Sequence, residues 1–215
     1  MSEEFKYFPD IRIFEKGADS IVTCFRRCVV ICGLVFHRES AIKFETNEFD
    51  GTLLYQQHLV AEILKIKRAL YLPNVLALYR NGGTPEFGNS KKEAGLFVPG
   101  QQTPDSSVQF MRGMLKIAAA KDPLFPGQLY QGILQDLANY SYPFLAIQSN
   151  QKKLVFFDYY VKLCKIGFGK FFMFHLYFWG LFVLGNQRLG QLIKWIKNKL
   201  GYTPILGSVY RGEQQ

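Results

Sequence analysis

Two adjacent glutamines, Gln56 and Gln57, follow shortly after an aspartate at Asp50, in the stretch "FDGTLLYQQHLVAEIL". The apolar residues Tyr55, Leu59, Ile63 and Ile66 recur at helical spacing, and Val60 and Leu64 widen their stripe into a broad arc. Gln56 falls inside that arc. A buried amide left unpaired costs about 1 to 3 kcal/mol, so an amide there is either satisfied by backbone or turned toward a ligand cavity. Asp50 precedes Gly51, which marks a turn, with Thr52 as the expected cap of the helix. His58 belongs to the polar arc by spacing and is expected in solvent. Arg80, followed closely by Gly82 and Gly83, closes an apolar run and opens a glycine-rich stretch.

The elements that must position these residues read as a strand and helix alternation. A β-branched run at residues 29–35 suits a buried strand, "RESAIKF" a short helix, and "RALYLPNVLALYR" two short strands around a proline break. Residues 81–105 are rich in Gly, Pro, Ser, Thr and Asn. Beyond them Ser106 is positioned to cap a helix toward Ala120. Leu129, Ile133 and Leu137 mark another helix, Pro143 interrupts, and further helices are expected over 152–166, 171–184 and 187–200. The division is 1–90, an α/β part; 91–105, a connector; and 106–215, a helical and basic part.

Order and spacing of "GLVFHRES", "FDGTLLYQQHL", "YLPNVLALYR" and the Gly-rich loop resemble the C-terminal half of a family-2 glycosyltransferase over residues 21–90. That resemblance implies an α/β fold: part of a Rossmann-like glycosyltransferase A domain, followed here by a mainly α-helical extension. It also implies transfer of a sugar from a nucleotide diphosphate donor to a glycan or lipid-linked acceptor. Gln56 and Gln57 take the two places where such enzymes have an adjacent Glu and Asp. The aspartate acts there as general base, and an amide cannot accept that proton. Gln57 then either hydrogen-bonds an acceptor sugar or is a helix-start glutamine satisfied by backbone. Asp50 and His58 are the substitute bases by proximity, or Asp50 is simply a turn residue and His58 a solvated one. Arg80 stands where the family meets the donor diphosphate, for which a guanidinium offers a planar fork of donors. Gly82 and Gly83 would let the following loop close over the nucleotide.

The resemblance further implies a nucleotide sugar and a divalent metal, Mg or Mn, but the Asp-x-Asp ligand motif is absent. "EFD" at 48–50 sits at the later turn, and no residue is assigned to metal. The expectation is a truncated or split enzyme whose missing N-terminal half would be a partner. The alternative is a noncatalytic membrane-binding or assembly protein on a transferase-derived scaffold.

Charge points to that membrane. The chain of 215 residues carries a net charge of +9, and residues 152–199 hold nine Lys or Arg against the single acid Asp158. The same segment contains "FFMFHLYFWGLFVL", half aromatic and without formal charge, yet short of the roughly 20 residues a spanning helix needs. After it, Leu189, Leu192, Ile193, Ile196 and Leu200 form a stripe among Arg188, Lys194, Lys197 and Lys199. With Phe178, Trp179 and Trp195 this is the composition of an interfacial seat on anionic lipid, expected on the cytoplasmic face of the cell membrane. The other reading is a buried core helix with a solvated basic face. Nucleic acid is not expected as a partner, because the cations interleave with an aliphatic stripe and match no binding motif. Cys24, Cys28, Cys32 and Cys164 form no CxxC pair and read as reduced core thiols. The opening "MSEEFKYF" has acids where a secretory signal needs a basic start.

Overall fold

A computed structural model describes residues 7–74, 91–98 and 101–199. It is 64% helical, with a single two-stranded antiparallel sheet among the described residues. Strand β1 (Arg12–Phe14) pairs with β2 (Ala69–Tyr71) in the register Ile13 to Leu70 and Phe14 to Ala69. Alternation turns Phe14 into the core and leaves Ile13 and Leu70 outside, next to exposed Ile11 and Leu72.

Eight helices follow the sheet's first strand in the described chain: α1 (Ala18–Phe25), α2 (Arg38–Lys43), α3 (Tyr55–Ile66), α4 (Pro104–Lys121), α5 (Leu129–Asn139), α6 (Tyr142–Gln148), α7 (Lys153–Lys165) and α8 (Phe172–Lys199). α1 packs on α3 and α5, α4 on α3, α5 and α7, and α6 on α8. One core of buried residues runs from Phe14 and Ile21 through Leu64, Met114 and Ile133 to Phe178 and Leu189, drawing on both sides of the 91–105 connector.

This architecture overturns the Rossmann-like expectation while keeping the helical extension. The β-branched run at 29–35 is not a strand. α1 continues through a 3-10 turn (Arg26–Cys28) into irregular chain, with Ile31 and Val35 exposed. A β-branched run becomes a strand only where another strand offers its backbone groups, and no described segment pairs with this one. Of the two strands expected in "RALYLPNVLALYR", the first is β2; the second lies outside the described residues.

Helix ends were set by chemistry a few residues from where spacing pointed. Thr103 caps α4, its hydroxyl accepting from the Ser106 N–H at 3.1 Å, and Pro104 fills the first helical position, which needs no N–H donor. Pro143 likewise sits in the first turn of α6. Gly185 breaks α8 at φ 75° and ψ 169°, values only glycine adopts readily. The chain bends there so sharply that a Cβ on Gly180 would lie 3.0 Å from Leu189. Tyr142 pins the bend, its hydroxyl donating to Asn186 Oδ1 at 3.0 Å.

Candidate functional site

The glutamine pair faces the end of α1. Gln57 is 0% exposed, and its Nε2 donates to the Phe25 carbonyl at 3.0 Å; Gln56, 7% exposed, donates to the Val29 carbonyl. The Phe25 carbonyl also accepts from Cys28 Sγ at 3.1 Å, so the glutamine amides add bonds from the neighbouring element that tie the α1 and 3-10 unit to α3. Gln57 Oε1 is buried with no hydrogen-bond partner. His58 is buried as well, against the expectation of solvent. Its Nε2 bonds the Phe44 carbonyl at 2.7 Å, and its ring lies 5.0 Å from Phe49 and 5.6 Å from Tyr55. Residues 44–49 fold over what periodicity marks as the polar side of α3, and burial pushes the imidazole pKa down.

Asp50 lies in the turn before α3, a third exposed, with its carboxylate paired to Lys92 Nζ. Gly51 adopts φ 80° there, and a Cβ would come within 2.8 Å of the Lys92 carbonyl, so the turn and the 91–98 segment are in close contact. Thr52 is a turn residue rather than the expected cap: its hydroxyl donates to the Phe49 carbonyl at 2.7 Å and accepts from the Leu54 N–H. Arg80, Gly82 and Gly83 lie outside the described residues. Of the residues expected on an acceptor side, Asp50 is therefore at the surface and paired with Lys92, and both glutamines are buried against backbone carbonyls. Lys92 was not singled out in the sequence, because 42 residues separate it from Asp50 and no local pattern joins them.

A metal does not fit this donor set. Among the described residues no three His, Cys, Asp or Glu gather, and the Asp50 carboxylate is already engaged by a lysine. All four cysteines are free thiols. Cys28 is buried, whereas Cys32, expected in the core, is exposed because α1 with Cys24 and the 3-10 turn with Cys28 end before it.

The C-terminal helices carry the other candidate surface. On the first half of α8, Phe174, Phe178 and Leu181 point inward, while Phe172 (75% exposed), Leu176, Trp179 (48%) and Val183 (74%) line the outer side at helical spacing. Phe178, expected with Trp179 at the membrane, does not lie on this outer side. It is instead fully buried, its ring 3.9 Å from that of Tyr160, because consecutive helical residues point about 100° apart. Leu154 and Phe157 of α7 are exposed too, outside the set of residues expected at the membrane. Beyond the bend, Leu192, Trp195 (56%) and Ile196 are exposed with Arg188, Lys194 and Lys199; the Lys197 side chain lies outside the described residues. Among the described residues no helix is long and apolar enough to cross a membrane.

No protein-family model, curated protein or solved structure matches this chain.

Proposed function

We propose that this chain is the membrane-seated, acceptor-side part of a family-2-like glycosyltransferase on the cytoplasmic membrane face, moving a sugar from a nucleotide diphosphate donor to a glycan or lipid-linked acceptor. The observation that carries the membrane seat is the outward row Phe172, Leu176, Trp179 and Val183, followed after the bend by Trp195 among basic residues. Four large apolar side chains on one helix face lose contact with water when they enter the acyl boundary, and the cations meet anionic headgroups. The transferase reading rests on the order of the sequence motifs. Asp50 is its candidate base, and Arg80, Gly82 and Gly83 its candidate diphosphate side. The exposed aliphatic side of the sheet, Ile11, Ile13, Leu70 and Leu72, offers a surface on which a nucleotide-binding half can pack.

One observation favours a noncatalytic membrane-binding or assembly protein instead. The residue in the place of the base, Gln57, is sealed in the core and bonded to backbone. Flotation of the purified chain with anionic vesicles tests the seat: binding should be lost in the double variant Lys194→Glu, Lys199→Glu, and equal flotation of both proteins would sink it. Transfer is tested by incubating membranes that hold the chain with a panel of labelled nucleotide sugars. Label in lipid-extractable or polymeric product that disappears with Asp50→Asn supports the transferase. Flotation without any transfer leaves the noncatalytic protein.

A further inference from the structure

An open cleft of about 570 Å³ lies between α4, α5 and the turn joining α7 to α8. Arg112 and Lys116 reach it from α4, Lys165 from the last position of α7, Lys170 from the turn, and Tyr130 from α5; no acid lines it. Leu115 and Ile166 contribute apolar surface beneath these charges. What sets the four cations apart is that they share one cleft with no acid in its lining. Arg112, Lys165 and Lys170 have no carboxylate within ion-pair distance among the described residues, and Lys116 donates to the neutral Glu48 carbonyl at 3.1 Å and lies over the Phe49 ring, 5.8 Å from its centroid. Lys162, one turn from Lys165, is by contrast held by both Asp105 and Asp158.

All four side chains are exposed, so water screens their mutual repulsion, while a cleft lined by one sign of charge raises the local concentration of anions. The C-terminus of α7 lies at this end of the cleft, and its partial negative charge stabilises Lys165 while offsetting part of the cationic field. A planar guanidinium beside mobile ammonium groups is the donor set that recognises phosphate oxygens, and the volume is in the range of small-ligand pockets.

We propose that this cleft binds a multiply charged phosphate group, a diphosphate or a phosphomonoester. Arg112 forks onto two oxygens while Lys116, Lys165 and Lys170 neutralise the charge. Such a group has two sources, a free phosphate compound or a lipid headgroup. The second has a structural route, because Lys170 stands two residues before Phe172, where the exposed apolar row of α8 begins. The site depends on neither the transferase nor the membrane reading.

Calorimetric titration of the full chain with inorganic pyrophosphate at low ionic strength tests it. Saturable one-to-one binding is expected, weakened about tenfold or more by Arg112→Ala and by the pair Lys165→Ala, Lys170→Ala, with the circular dichroism unchanged. Lys194→Glu with Lys199→Glu should leave it intact, which separates this site from the membrane seat. No saturable binding, or variants that bind as the parent does, would overturn the proposal. Once binding is seen, vesicles containing phosphatidic acid are compared with phosphatidylglycerol vesicles of matched surface charge. A preference for phosphatidic acid that pyrophosphate abolishes assigns the cleft to a lipid headgroup; equal flotation assigns it to a free phosphate compound.

Discussion

Gln57 donates its side-chain amide to the Phe25 carbonyl at 3.0 Å, so a residue at the head of α3 completes the tail of α1 from across the core. Removing that donor in Gln57→Ala should cost roughly 1 to 3 kcal/mol, with the cavity adding to the loss of the bond. Gln57→Glu should cost more, because a buried carboxylate would face a carbonyl oxygen. Urea denaturation of the three proteins checks the order. Parental stability in both variants would mean that the amide contributes nothing to the packing of α1 on α3.

His58 makes stability depend on mild acid. Its pKa in the folded chain is depressed below the ordinary value of about 6.5, chiefly by burial, which outweighs the Phe44 carbonyl bond, with Lys121 acting in the same direction against Glu62 and Glu48. The unfolded chain therefore binds more protons near pH 6 than the folded one. The contribution of a neutral His58 is complete above pH 6.5 and is lost as the pH falls below it. Unfolding midpoints at pH 7.5 and 5.5 should differ in the parent, and the difference should shrink in His58→Gln. An unchanged difference would place the acid sensitivity elsewhere.

Gly51 couples the Asp50 turn to the 91–98 segment. A methyl group at this position meets both an unfavourable positive φ and the Lys92 carbonyl at 2.8 Å, so Gly51→Ala should cost about 1 to 3 kcal/mol. The turn should also release its neighbour, seen as faster amide exchange over residues 91–98. Slow exchange in a destabilised variant would mean that the segment is held by other contacts.

Trp179 and Trp195 are the two tryptophans of the chain and both lie on the exposed side of α8. Anionic vesicles should shift their emission to the blue, since indoles move from water to headgroup depth. Trp179→Phe and Trp195→Phe then report each half of the bent helix separately. A shift confined to Trp195 would restrict the seat to the basic half; no shift would argue against a seat on this face.

Lys121 and Glu62 form an ion pair at 2.8 Å with side chains only 9% and 13% exposed. Lys121→Met should destabilise the fold by about 3 kcal/mol, because the remaining carboxylate loses its partner in a largely dry site. The double variant Lys121→Met, Glu62→Leu should recover much of that loss. Thermal unfolding of the single and double variants distinguishes this from a pair that merely decorates the surface.

Local pattern in the sequence was sufficient for α3, α5, α7 and both halves of α8, because helical periodicity acts over a few neighbouring residues. It was sufficient too for the concentration of basic and aromatic residues at that end of the chain. Strand formation at 29–35 was not legible, since a ladder needs a partner from elsewhere and the tertiary structure supplies none among the described residues. The glutamines present the same limit. Spacing placed Gln56 on the apolar arc, but whether the amides met a ligand or a backbone carbonyl depended on where α1 ends. That is a contact across 32 residues from Phe25 to Gln57, and only the packed fold specifies it.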